Sequence, residues 1–340
     1  MMEQRKIVAL GQSSLVVSLP KDWLRSNNIS QGDWLSLQPL SNGTLFVYPT
    51  KNMTNDVRSI SLTISTNEKD ASITRKIIGA YMDGHTLINL ISEKIFTINQ
   101  QAAIRQISNI LYMMIIKSDA NSITLETLID EDRASISSSV ERIHLITYSM
   151  FRDTINALIV GDKVLAESVL PLENDVDQLM FFLLRLIRSC AQNLSLGNHL
   201  RLDPLDCLDY QNLVQSIERI ADHISAIAKI IARLTPVEEK LTINVSENLI
   251  KAAEMTLASY DLAVRSFLSS NIDSTNEIID REVIVNNLCN DLIKMPIVDG
   301  YKSTSLSDFS FIKENIKRIS QYVSDIAEIT IDRAYKRTIE

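Results

Sequence analysis

The chain has 340 residues, of which 45% are hydrophobic and 22% charged, and its formal net charge is −8. That composition excludes general disorder, and the acidic balance excludes a protein that coats nucleic acid along its whole length. Glycine and proline number only 8 and 7, which predicts few turns and long helices. No run of about 18 uncharged apolar residues is present, so membrane insertion is not expected. The greasiest stretch, Leu179 to Ile187, is interrupted by Arg185. Met1 to Lys6 shows no signal-peptide pattern. Cys190, Cys207 and Cys289 are odd in number and widely spaced, forming neither a disulfide framework nor a zinc motif, which fits a reducing cytoplasm.

Residues 1–50 differ from the rest, holding Pro20, Pro39, Pro49 and both tryptophans, Trp23 and Trp34. The alternation of Leu15, Val17 and Leu19 predicts a half-buried strand. Pro20 then opens a short helix over residues 21–27. Trp34 to Leu37 and Thr44 to Tyr48 read as two strands turned at Asn42-Gly43. A β-β-α-β-β unit of about 45 residues buries too little surface to stand alone, so dimerisation is expected. Its cations Arg5, Lys6, Lys21 and Arg25 outnumber the acids Glu3, Asp22 and Asp33 by one. This suits either phosphate contacts with DNA or an ordinary solvated surface.

Residues 53–135 alternate strand and helix. Ile60, Leu62 and Ile64 mark a strand; Ile73, Ile77, Ile78 and Tyr81 mark a helix ended by Asp83-Gly84. Leu87 to Ile91, a helix over Ala102 to Ile110, and a hairpin of Met113–Lys117 and Ser122–Leu128 complete a β-α-β-α-β-β order. That order suggests a small open sheet with helices on one face.

From Ser137 onward the pattern is helical, with six long helices broken near Gly161-Asp162, Gly197 to Asp206, Pro236, Ser270 and Pro296 to Ser305. Leu213, Ile217, Ile220, Ile224, Ile227 and Ile231 form one buried stripe. The region repeats itself. Ile217 to Ile230 aligns with Ile316 to Ile329, and Glu173 to Asp177 aligns with Asp280 to Ile284, each about 100 residues apart.

Two carboxylate pairs stand out, Glu173 with Asp177 and Glu218 with Asp222, each at i,i+4 on one helix face. Packed side by side, two such helices gather four oxygen donors suited to a hard cation. The same spacing also fits solvated faces of amphipathic helices. The second repeat lacks the feature, with Lys317 and Gln321 aligned to Glu218 and Asp222. His223 follows Asp222 and faces about 100° away from it, toward packing. No nucleophile elbow, Cys/His pairing or phosphate loop points to an enzyme.

The segment Leu15-Val-Val-Ser-Leu-Pro20-Lys-Asp-Trp23, with Arg5-Lys6 before it and Asn28 to Asp33 after it, resembles the SpoVT-AbrB (AbrB/MazE) domain. Residues 137–235 and 240–335 resemble two tandem PhoU repeats, through Glu218-Arg-Ile-Ala-Asp222-His223, Ala157 to Asp162 and Glu173-x-x-x-Asp177. The combination looks like the archaeal phosphate uptake regulators. The resemblance implies a multidomain, mainly α protein with an N-terminal swapped-hairpin β-barrel, a small α/β middle segment and a C-terminal tandem three-helix bundle. It implies a cytoplasmic homodimer that regulates phosphate uptake and the phosphate-starvation response, with a DNA-binding transcriptional regulator as the main reading. Arg5, Lys6, Lys21 and Arg25 would contact DNA. Glu173, Asp177, Glu218 and Asp222 would hold iron or another divalent or trivalent metal, at the first repeat only. The turn residues Gln12 and Ser13 are uncharged where the AbrB pattern is basic. This favours the alternative: an adaptor, not binding DNA, that restrains the phosphate ABC transporter through its ATPase subunit.

Overall fold

The computed structural model describes residues 3–11, 14–39, 43–49, 58–233, 242–291 and 303–335. It divides into two units, residues 1–57 with 338–340, and residues 58–337.

In the first unit, β1 (Val8–Leu10) pairs antiparallel with β2 (Ser14–Val16), and β3 (Leu35–Pro39) pairs antiparallel with β4 (Leu45–Pro49). Between them lies α1 (Lys21–Ser26), with Pro20 as its extended N-cap. The strand read from Leu15 to Leu19 ends at Val16, which pairs opposite Val8 at the start of β1. The described residues of one chain show no closed barrel; the expected swapped-hairpin barrel takes strands from two copies of the chain. The two hairpins make separate two-stranded sheets, and a lone hairpin has only its partner strand to pair with. Leu10, Leu15, Leu37 and Trp34 are exposed, Trp34 at 83%. The residues at Gln12, Ser13 and Asn42 lie outside the described residues.

The second unit begins with a four-stranded sheet in the order β5-β6-β8-β7, formed by β5 (Ser59–Ile64), β6 (Leu87–Ser92), β7 (Met113–Ser118) and β8 (Ser122–Thr127). β5 and β6 are parallel; β8 runs antiparallel to both β6 and β7. The parallel pair requires a crossover, and α2 (Asp70–Met82) supplies it. α3 (Ile98–Ile110) begins four residues before the apolar pattern suggests. Thr97 accepts from the Gln100 backbone N–H, while the Gln100 side chain caps Thr97 in return. Ile64, Ile73, Ile77, Ile88, Leu90 and Ile104 fill the core between sheet and helices.

The bundle follows, with long helices α4 (Ile136–Val160), α6 (Leu172–Gln192), α8 (Pro204–Arg233), α9 (Thr242–Ser269), α10 (Thr275–Asp291) and α11 (Ser303–Ala334). Short helices α5 (Lys163–Val169) and α7 (Leu194–His199) join the first three. Local chemistry sets the breaks. α4 ends at Gly161, whose φ of 70° is left-handed, and the next residue, Asp162, caps α5 through the Leu165 N–H at 3.0 Å. Asp203 and Asp206 cap one another around Pro204, which stands at the first helical position of α8. The expected break at Pro236 and part of that at 296–305 lie outside the described residues.

The α8 stripe and its α11 counterpart are both buried, Ile217, Ile220, Ile224 and Ile227 matching Ile316, Ile319, Val323 and Ile326. The α6/α10 alignment requires correction. Val176 is 1% exposed, but Val283, aligned to it, is 60% exposed. The buried residues Ile278, Val285 and Cys289 instead follow Val176, Leu183 and Ile187 by 102 positions each. In that frame Thr275 and Ile279, rather than Asp280 and Ile284, answer Glu173 and Asp177.

The sheet lobe and the bundle meet along α6. Phe181 packs on the lobe's core and Phe182 on the bundle's core, while Met82 borders both. The fully buried Arg185 donates from Nε to Glu131 at 2.8 Å and from Nη1 to the carbonyls of Tyr81 and His85 at 2.6 and 3.0 Å. Arg188 Nε donates to the Met82 carbonyl at 3.0 Å. These cations meet the C-terminal carbonyls of α2, where the helix dipole is negative.

Candidate functional site

Glu173 and Asp177 stand on the first two turns of α6, and Glu218 and Asp222 on the middle of α8, which packs beside it. Acids suit the positive end of α6, where Glu173 and Asp175 occupy the first turn. The structure brings the four carboxylates into mutual electrostatic range. Burial, then the charges of Asp222 and Glu173, pushes Asp177 up to about 6. Burial, then Asp222 and Asp177, pushes Glu218 up to about 7. Burial and the Glu173 charge also raise Asp222, which sits at the exposed rim. A side-chain hydrogen bond between Glu218 and Asp222 raises Glu218 further and lowers Asp222. Like charges held this close share a proton or need a cation.

A cation is present on the chain itself. Lys229 Nζ lies 3.1 Å from Glu173 Oε2, and its charge pulls Asp222 downward against the other influences. Lys229 follows Glu218 and Asp222 by 11 and 7 residues, a spacing that returns to the same helix face. That spacing was legible in the sequence; attention to acids alone passes over it. Among the described residues no group of three or more His, Cys, Asp or Glu side chains is gathered closely enough to hold a metal ion. The donor chemistry suits a hard cation, but the arrangement does not close a coordination shell.

His223 turns away from the acids, as its position predicts. Asn315 Nδ2 donates to the Phe311 carbonyl at 2.7 Å, so its Oδ1 is free to accept from His223 Nδ1 at 2.7 Å. The ring stacks on Tyr322, and Arg219 lies 5.6 Å over the same Tyr322 ring. These contacts join α8 to α11. At the second repeat Lys317 pairs with Glu314 at 3.7 Å, and Gln321 accepts from Arg318 at 3.0 Å. The aligned positions carry no acid there, although Glu282 on α10 and Asp325 on α11 lie in electrostatic range of each other.

The N-terminal candidates fall on one unit but in different settings. Arg5 Nε donates to Glu3 at 3.1 Å, and Arg25 lies 3.8 Å from Asp22. Lys6 precedes β1, and Lys21 opens α1. Intramolecular acids thus already engage two of the four cations.

Six long helices in two repeats, one carrying acids at the aligned positions and the other none, define a duplicated helical bundle. The PhoU domain family matches residues 140–231 and 249–330, just over half of the sequence, and the chain belongs to that family. The phosphate-specific transport system accessory protein PhoU homolog of Clostridium acetobutylicum is 23% identical over 216 residues, taking in 60% of this chain and 93% of that protein. Among solved structures, the phosphate transport system regulatory protein PhoU from Streptococcus pneumoniae matches with a TM-score of 0.46 at 15% identity, over 60% of this chain and 96% of that one. PhoU from Pseudomonas aeruginosa matches with a TM-score of 0.47 at 18% identity, over 58% and 93%.

Proposed function

We propose that this chain regulates phosphate transport as an adaptor, restraining a phosphate ABC transporter through its ATPase subunit. The tandem pair of family domains carries this reading, together with a curated relative whose name is that of an accessory protein of a phosphate-specific transport system. The chain acts by binding rather than by catalysis, on the cytoplasmic side where an ATPase subunit is reached. No helix among the described residues is long and apolar enough to cross a membrane. The pairing of Arg5 with Glu3 and of Arg25 with Asp22 supports the adaptor over a DNA-binding role. Reversing the charge of Arg5, Lys6 and Arg25 together tests it. Control of phosphate uptake is expected to survive; its loss would overturn the adaptor reading.

The second reading is a dimeric SpoVT-AbrB-like transcription regulator contacting DNA through Arg5, Lys6, Lys21 and Arg25. Exposed apolar side chains on both N-terminal hairpins support homodimerisation through this unit, since a lone hairpin is marginal in water. Selection of genomic fragments by the full chain, with and without phosphate at stated salt, decides it. Enrichment upstream of phosphate-transport genes would establish DNA-binding control.

For the acidic face we propose a cation, iron or another divalent or trivalent metal, at Glu173, Asp177, Glu218 and Asp222. The four oxygen donors on neighbouring helices support it, and their side chains must swing together to share one ion; nothing in the adaptor reading depends on it. Metal content is expected to fall in the Glu218→Ala, Asp222→Ala double variant, and unchanged content would remove the site.

A further inference from the structure

We propose that a cavity between α3 and β7 binds a small monocarboxylic acid with an apolar body. The cavity holds about 330 Å³, within the range of small-molecule sites. One wall is polar: Arg105, Ser108 and Asn109 stand at i, i+3 and i+4 on a single face of α3. The other is apolar, formed by β7 at Met113 to Ile115 with Leu128 beyond β8; Met113 points into the lobe's core, and Met114 to the opposite face of the strand. Met114 and Leu128 are exposed at its mouth, so apolar surface stands uncovered beside a cation.

Arg105 is exposed and forms no ion pair or hydrogen bond with any described residue, so its guanidinium donors are available at the cavity wall. A guanidinium fork takes a carboxylate or a phosphate in the same bidentate manner. No second cation lines the cavity, so a single negative charge is matched and a phosphate dianion is not. The apolar wall then holds an alkyl body, and the exposed Met114 adapts to more than one shape.

The outer edge of β7 offers another occupant, an added peptide strand. The register shift between Ile115 and Lys117 breaks the ladder there, and Lys117 is exposed on that edge. Bulges and lysines are devices that discourage strand addition. The cavity is therefore assigned to a small molecule. Its floor also touches α6, since the Asn109 carbonyl accepts from Gln178 Nε2 at 3.4 Å, one residue from Asp177.

The test uses the full chain with 13C-labelled methionine methyl groups, assigned through Met113→Leu and Met114→Leu. Hexanoate is expected to shift the Met114 signal saturably, while hexan-1-ol and inorganic phosphate at equal concentration do not. Arg105→Gln, an exposed substitution, is expected to weaken hexanoate by roughly tenfold or more, as for loss of a charged hydrogen bond, with the other methionine signals unmoved. Failure of hexanoate to saturate, equal affinity in R105Q, or equal binding of hexan-1-ol or phosphate would each overturn the assignment.

Discussion

Arg185 donates to the main-chain carbonyl of Tyr81 at 2.6 Å, and the same guanidinium lies 4.7 Å above the Tyr81 ring. One side chain of the bundle thereby caps a helix of the sheet lobe and neutralises Glu131 in the connection between them. Arg185 is 2% exposed, so removing it takes the donor from the Glu131 carboxylate and the His85 carbonyl, while the Tyr81 carbonyl keeps the Gly84 N–H at 3.0 Å. Arg185→Met is expected to cost about 3–5 kcal/mol. Arg185→Lys recovers little, because a point ammonium cannot serve a fork of three acceptors. Urea unfolding followed by circular dichroism measures both, and a loss under about 1 kcal/mol in the Met variant would show the contact to be incidental.

Tyr81 supplies a companion prediction of opposite sign. Its hydroxyl is buried and finds no hydrogen-bond partner. Burial drives its acidity well below that of a free phenol. Tyr81→Phe keeps the ring beneath Arg185 and removes the unsatisfied group. Stability is expected to be unchanged or to rise by about 1 kcal/mol. A drop of 2 kcal/mol or more would mean that the hydroxyl has a partner in solution.

The acidic face sets a pH dependence. Glu218 is raised from 4.5 to about 7 and Asp177 from 3.8 to about 6 on folding. Between these values the native state binds more protons than the unfolded chain. Stability therefore falls as pH rises from about 4 to 7. Glu218→Gln keeps a donor toward Asp222 without the charge. After allowance for solvent screening, it is expected to be about 1–2 kcal/mol more stable than the parent above pH 7.5, with no difference at pH 4. Denaturation midpoints across that range check the crossover. A constant difference at every pH would assign the effect to packing.

Gly197 on α7 makes a steric prediction. A Cβ there would stand 2.9 Å from the Leu202 carbonyl oxygen and 3.2 Å from that of Cys190. Both contacts are main chain and cannot swing aside. Gly197→Ala is expected to destabilise by about 1–3 kcal/mol despite alanine's better helix propensity. A neutral thermal midpoint would show that the α6–α8 connection yields.

Periodicity in the sequence located β5 to β8 and the repeated α8/α11 stripe, because each has one apolar face and one polar face. Asp83-Gly84 and Gly161-Asp162 stopped helices for reasons of backbone conformation that any sequence displays. The failures have physical causes too. α10 carries Ile278, Ile279, Val283, Ile284 and Val285 on several sides, so its apolar pattern does not select a face. Arg185 reads as an interruption in a greasy run, since nothing local reveals carbonyls brought from about 100 residues away. At the site, the acid pairs were legible from i,i+4 spacing. Their protonation was not, because burial comes from the facing helix. The N-terminal hairpins were legible as strands; closure of a swapped-hairpin barrel depends on a second chain, and one chain shows two separate two-stranded sheets.

The shared wall at α6 also fixes where this chain can be divided. A fragment beginning after residue 135 would retain both family domains, yet it would present Phe181 and Arg185 to water, one an apolar ring and the other a cation shaped for carbonyls it no longer meets. The matched family boundaries are thus not folding boundaries. In this chain the piece that can be inherited as a module and the piece that melts as one body are different lengths of the same polypeptide.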